Sequence, residues 1–227
     1  MSNKGNNRHI KRLASSRYSN VTRKTSKYVV KPYPGRFSSD ERIALITVLK
    51  EKLGVANTSR EAGRIIRSGK VEVNGRRVDT DKFPIGLGDS VSFKDTGESY
   101  RVTIGRYGTF SLVKKDDDKI GNVFKVVGKY TERKGRERIR ISNGSNLDAG
   151  KDVRVNDSVI IDNGNISKVL RLEKGARCLV VRGVHSTAVG EIREIKKGTM
   201  LRNPTVEIES NGSTFETKLD NVIVIGS

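Results

Sequence analysis

The sequence has no tryptophan, one cysteine, two histidines and four prolines among its 227 residues, and aromatic side chains make up only 5% of it. The lone Cys178 excludes an intrachain disulfide and gives no sign of a small, disulfide-stapled secreted fold. With one cysteine and two histidines that lie far apart in the chain (His9 and His185), a zinc site built from cysteine and histidine is excluded too. No apolar run approaches the roughly 18–20 residues that a membrane-spanning helix needs. The polar, basic start lacks the apolar centre of a secretory signal. The expectation is a cytoplasmic protein with no membrane partner. So few aromatic residues leave burial to Val, Ile and Leu, which suits several small β-rich modules better than one deep core.

Acidic residues are also scarce. Against 26 Asp and Glu stand 45 Lys and Arg, for a net charge of +19 and an isoelectric point near 10.2. Self-repulsion of that size destabilises a compact chain unless a polyanion neutralises it. Nucleic acid is favoured over an anionic lipid surface or mere solubility, because the charge coincides with recognisable modules.

The charge is concentrated at the start. Residues 1–39 contain ten basic side chains (Lys4, Arg8, Lys11, Arg12, Arg17, Arg23, Lys24, Lys27, Lys31 and Arg36) and no acid. The stretch shows neither helical nor strand periodicity, so by itself it cannot recover its ordering entropy. It reads as an arm that orders when laid along phosphates, with Arg8, Lys11, Arg12, Arg17, Arg23 and Lys24 as contacts.

Ser38 with Glu41 has the form of a capping box ahead of Leu45, Ile46, Leu49 and Leu53, which predicts an amphipathic helix ending near Gly54. Thr58 with Glu61 predicts a second, shorter helix with Ala62, Ile65 and Ile66 inward and Gly69 at its end. Lys70–Val73, Asn74-Gly75 and Arg76–Val78 follow. Asn-Gly between alternating residues is the strongest short hairpin signal, because both turn positions need positive φ. Beyond Tyr100 the pattern becomes strand after strand, with segments at 100–104, 109–113, 121–129, 138–141, 153–155, 158–162 and 167–172. A last group at 178–182, 188–195, 205–209, 214–218 and 222–225 has the even spacing of a compact barrel.

Arg60, Arg64 and Arg67 lie at i, i+4 and i+7 of the second helix, hence on one face, opposite Ile65 and Ile66. With Lys70 at the helix end they form a phosphate clamp with planar, bidentate donors, and Arg76 and Arg77 on the hairpin extend it. Only Glu61 supplies a nearby opposite charge in sequence, whereas an ordinary solvated helix face would mix its signs. Catalysis finds little support. Asp116, Asp117 and Asp118 sit beside Lys114 and Lys115 as a polar turn, and His185 lies in a loop with no placed partner. There is no phosphate-cradling Gly-Lys-Ser/Thr loop and no dinucleotide-binding glycine pattern after a strand. No catalytic residue, cofactor, metal or small-molecule substrate is expected.

The segment Asn57-Thr-Ser-Arg-Glu-Ala-Gly-Arg-Ile-Ile-Arg-Ser-Gly-Lys-Val-Glu-Val-Asn-Gly-Arg-Arg-Val78 resembles the core of the S4 RNA-binding domain, and Pro84 and Gly88-Asp89 resemble its closing strand. That resemblance implies that Arg60, Arg64, Arg67 and Lys70 meet RNA phosphates. Arg182-Gly183 and Gly190-Glu-Ile-Arg-Glu-Ile195 resemble the KOW motif, whose loop presents polar and basic groups to RNA; it implies contacts from Arg182, His185 and Arg193. Taken in order, His9–Ala14, Pro32–Gly35, the S4-like segment, Asp95–Glu98, Val155–Asp157, the KOW-like segment and Leu219–Gly226 resemble the S4e family of archaeal and eukaryotic small-subunit ribosomal proteins from end to end. A tyrosine, Tyr18, where eukaryotic members carry tryptophan, and a sequence ending at Ser227 without their basic tail, fit the archaeal type.

The expected fold class is α+β, mostly β. It comprises a basic arm (1–37), a small αα-plus-β-hairpin RNA-binding domain (38–95), a central β-barrel or sandwich domain (96–173) and a C-terminal SH3-like KOW barrel (174–227). The expected function is that of a structural constituent of the small ribosomal subunit, partnered by small-subunit rRNA and neighbouring ribosomal proteins. Two other classes stay open on the residues alone: an RNA-modifying enzyme subunit and a KOW-type transcription elongation factor.

Overall fold

The structure is a computed structural model that describes residues 9–114, 122–133, 135–148, 152–162, 164–210 and 212–226. Arg8 and the acidic triplet Asp116–Asp118 lie outside the described residues. The chain divides into two compact units: residues 1–103 with 109–116, and residues 104–108 with 117–227.

In the first unit, the N-terminal segment is folded onto the module rather than free. Strand β1 (Ile10–Lys11) pairs antiparallel with β2 (Tyr28–Val29). Val21, Pro32 and Phe37 are buried, and Tyr18 packs its ring 5.8 Å from that of Phe110. Burial of apolar side chains and pairing of buried charges supply the ordering free energy that the segment lacks alone.

The expected cap at Ser38 does not start a helix. Ser38 Oγ does donate to Glu41 Oε2 at 2.9 Å. The chain then forms β3 (Ile43–Ala44), paired with β6 (Pro84–Ile85), and only afterwards a helical segment. That segment is one α turn, α1 (Leu45–Thr47), running into a π turn (Val48–Lys52) that ends at Leu53, just before the positive-φ Gly54. The second helix, α2 (Ser59–Arg67), starts where its box predicts: Glu61 N–H donates to Thr58 Oγ1 at 3.2 Å, and Glu61 Oε2 accepts from Asn57 N at 3.0 Å.

Strand β4 (Val71–Val73) turns through Asn74 (φ 53°) and Gly75 (φ 74°) into β5 (Arg76–Arg77), with Val73 opposite Arg76. Strand β7 (Ser90–Phe93) alternates half-buried serines with buried Val91 and Phe93. The sheet continues through β8 (Ser99–Gly105) and β9 (Thr109–Lys114) in the order β5-β4-β7-β8-β9. The first module's sheet therefore crosses the expected boundary at 95/96. Leu45, Leu49, Ile66, Val71, Ile85 and Val91 form its core.

The second unit holds two five-stranded antiparallel sheets. One contains β10 (Asn122–Thr131), β11 (Glu137–Ile141), β12 (Asn146–Asp148), β13 (Ser158–Asp162) and β14 (Asn165–Leu170), in the order β12-β11-β10-β13-β14. Residues 153–155, expected as a strand, instead lead into a turn at Asn156 (φ 77°), held by Arg154 N–H donating to Asp157 Oδ2 at 3.0 Å. The other sheet contains β15 (Arg177–Val180), β16 (Val189–Lys196), β17 (Thr205–Ser210), β18 (Ser213–Lys218) and β19 (Val222–Gly226), in the order β18-β17-β16-β15-β19. This half-barrel matches the five expected strands closely.

The two sheets are joined through a continuous interior. Val123 and Ile160 of the central sheet pack on the cluster of Cys178, Val180, Ile192, Val206, Ile208 and Val222. Ser158 Oγ accepts from Val224 N at 2.9 Å, and the buried Lys125 ammonium donates to Leu219 O at 2.6 Å. Burial lowers the Lys125 pKa to about 8, with Asp220 pulling it partly back. Burial also pushes the Cys178 thiol up to about 11, so the one cysteine is an inert core residue.

Candidate RNA-binding surface

Fully buried Ala62 and Ile66 fix the rotation of α2 about its axis, and Ile65 is half-buried beside them. Arg60, Arg64 and Arg67 are consequently turned outward and exposed. Gly69 (φ 72°) ends the helix and leaves room for a neighbour: a side-chain carbon there would fall 2.4 Å from the Arg77 guanidinium. Arg77 thus lies against the C-terminal end of α2, where a cation is favoured by the helix dipole. Glycine at one position joins the helix face and the hairpin into a single basic surface.

Charge partners on this surface are more numerous than sequence spacing suggests. Arg67 pairs with Asp81 at 3.0 Å, Lys70 with Asp95 at 2.6 Å and Arg77 with Asp79 at 2.9 Å. All three cations are at least half exposed, and such pairs are worth only ~0–1 kcal/mol. A phosphate can replace the carboxylate in each at little cost. Among the described residues no carboxylate pairs with Arg60, Arg64 or Arg76.

The N-terminal arginines divide differently. Arg12, expected among the RNA contacts, is only 7% exposed. Its guanidinium reaches both Glu51 oxygens, at 2.5 and 3.2 Å, Ser26 Oγ at 2.7 Å and Thr22 O at 2.7 Å. With its donors so engaged inside the protein, Arg12 is a structural residue. Arg36 similarly donates to Asp89 Oδ1 at 2.8 Å. Asp89 is fully buried and also accepts from Asn74 Nδ2 at 2.7 Å and Gly86 N at 3.1 Å. Burial raises its pKa, opposed by the Arg36 charge and by those donors. Lys11, Arg17, Arg23 and Lys24 are exposed.

In the second unit, Arg182 and His185 are exposed at the start of and within the loop 181–188. His185 stacks on Phe215 of β18, with centroids 4.1 Å apart and planes at 22°. Arg193 occupies the position where the β16–β17 register shifts, and pairs with Glu209 at 2.8 Å. Gly190 is required for another reason than a turn: a carbon there would meet Glu209 O at 2.2 Å, so only glycine lets β16 lie against β17. Exposed apolar and aromatic residues among the described ones also lie outside the sequence-based set. Met200 and Leu201 stand fully exposed on the turn that joins β16 and β17, between Lys196, Lys197 and Arg202. Tyr107 is 76% exposed at the tip of the β8–β9 hairpin. Isolated apolar residues in turns carry no periodic signal, so spacing alone could not single them out.

Comparison with known proteins bears directly on these surfaces. The S4 domain family matches residues 45–91, which contain α2 and the Asn74-Gly75 hairpin, and the ribosomal family S4e matches residues 96–166. The small ribosomal subunit protein eS4 of Methanocella arvoryzae is 34% identical over 220 residues, covering 96% of this chain and 94% of that protein. The chain belongs to the ribosomal protein S4e family. Another S4e relative, the eS4 protein of Nanoarchaeum equitans, is 32% identical over 222 residues, covering 96% and 95% of the two chains. The crystal structure of the 30S ribosomal protein S4e from Thermoplasma acidophilum superposes with a TM-score of 0.70 at 26% identity, over 83% of this chain and 96% of that one. The S4e relationship thus spans 96% of the chain in sequence and 83% of it in fold, and the S4 domain match includes the helix that carries the arginine face.

Proposed function

We propose that this chain is a structural constituent of the small ribosomal subunit, acting in the cytoplasm without a chemical step of its own. The end-to-end relationship to small-subunit eS4 proteins carries this reading. The partners are folded small-subunit rRNA and neighbouring ribosomal proteins. Arg60, Arg64, Arg67, Lys70, Arg76 and Arg77 supply a rigid set of phosphate contacts, with Arg60, Arg64 and Arg76 ready to bind and the others exchanging an aspartate for a phosphate. Lys11, Arg17, Arg23 and Lys24 add charge along the N-terminal segment. Arg182, His185 and Arg193 of the KOW-like hairpin form a second contact. The deep groove of A-form RNA keeps side chains from its bases, so shape and unpaired nucleotides matter more than sequence.

Sedimentation of cell lysate through sucrose, followed by a high-salt wash and mass spectrometry, tests the reading. Stoichiometric recovery in washed small subunits is expected. Recovery only at the top of the gradient, or with RNA polymerase, refutes it in favour of a free RNA-modifying or elongation role.

A further inference from the structure

Tyr107 has φ 61° and ψ 22°, a left-handed conformation that a bulky side chain adopts at a cost of roughly 1–2 kcal/mol. A glycine would fit this turn without that cost, yet the ring is held there and is 76% exposed. The next residue, Gly108, abuts the loop 183–187: Ser186 Oγ lies 3.4 Å from where a side-chain carbon on Gly108 would be. That loop is itself held in an unusual shape, with Gly183 at φ 98° and Thr187 at φ 80°. At its tip Val184 is 97% exposed. Beside it, Phe215 stacks against the His185 ring, and His185 is still exposed.

We propose that His185, Val184 and Tyr107 form a platform for one unpaired RNA base, which stacks on the outer face of His185 and continues the Phe215–His185 stack. The arrangement favours a nucleobase over an apolar protein segment. The surface on offer is a flat ring backed by a second ring at 22°, which suits a flat partner, and the polar edge of the imidazole can bond to a base or its phosphate. Arg182 at the foot of the loop supplies local positive charge. The inference rests on the RNA-binding reading above and adds the kind of nucleotide recognised and three residues, Tyr107, Val184 and Phe215, outside that contact set.

The test compares binding of the full chain to a short RNA duplex and to the same duplex with one unpaired 2-aminopurine. Stacking on an aromatic ring is worth roughly 1–3 kcal/mol per base, so the bulged duplex is expected to bind about tenfold tighter, with quenched fluorescence. His185→Ala should abolish the preference for the bulged over the plain duplex, and His185→Phe should keep it. Tyr107→Gly removes the ring together with its backbone strain; it should fold at least as stably and lose several-fold of the preference. Equal binding of both RNAs by the unaltered protein, a preference that survives His185→Ala, or one that Tyr107→Gly leaves undiminished, overturns the platform. Failure to bind either RNA instead overturns the RNA-binding reading on which it rests.

Discussion

Two stretches of the first unit look alike in sequence, both rich in arginine, and behave in opposite ways. On α2 and the adjoining hairpin the arginines face outward, and the pairs of Arg67 with Asp81 and of Arg77 with Asp79 are at least partly exposed and easily exchanged. In the N-terminal segment Arg12 and Arg36 turn inward onto Glu51 and Asp89, carboxylates that are largely or wholly buried. The difference lies in the acid rather than the arginine. A buried carboxylate fixes its cation because separating the pair strands a charge in low dielectric, whereas an exposed one has water as an alternative. Positive charge alone therefore does not identify a binding surface; the burial of its counter-ion decides whether a cation holds the fold or the partner.

The largest effect should come from the inward group. Asp89→Asn leaves Arg36 without its counter-charge and is expected to cost about 3–5 kcal/mol in urea unfolding. Deleting residues 1–36 should likewise lower stability strongly. An unchanged unfolding midpoint after that deletion would return the segment to the status of a free arm and dissolve the contrast.

Lys125 sharpens the same contrast in the second unit, as a buried cation without a directly bonded carboxylate. Its folded pKa of about 8 lies below the ordinary 10.5 of an unfolded lysine. Between those values the unfolded chain holds a proton that the folded one has released, so stability should rise with pH from about 8 to 10.5. The rise is at most roughly 3 kcal/mol and should vanish in Lys125→Met, as followed by thermal melting across that range.

Arg60→Ala with Arg64→Ala should leave melting within about 0.5 kcal/mol of the parent. Their effect belongs in RNA binding, where each lost phosphate contact lowers the salt slope by roughly 0.7–0.9. An unchanged slope would remove α2 from the interface. The smallest effect is expected from Asp81→Asn, which frees Arg67 and should tighten RNA binding by about twofold, measured by titration at low salt.

The contrast also shows how far sequence could reach. Helix α2, its cap, the Asn74-Gly75 hairpin and the C-terminal strands were legible because each depends on local spacing. The cap at Ser38 misled because Ile43–Ala44 pairs with Pro84–Ile85, a partner about forty residues away that overrides the local helix signal. The short strand Asn146–Asp148 has no local signal of its own, and the pattern at 153–155 suggests a strand although Asp157 turns the chain there. For the candidate site, the outward arginines followed from i, i+4 and i+7. The inward ones did not, since Arg12 and Arg36 meet carboxylates 39 and 53 residues away.

Those separations also set an order of events in time. During synthesis the N-terminal segment emerges before either of its buried partners has been made. At about 5–20 residues per second, Arg36 waits roughly 3–10 s for Asp89 to be added. Throughout that interval the most basic stretch of the chain is unshielded and surrounded by RNA. The docking of this segment thus waits until Glu51 and Asp89 have been made, and until then its structural arginines are open to any polyanion nearby.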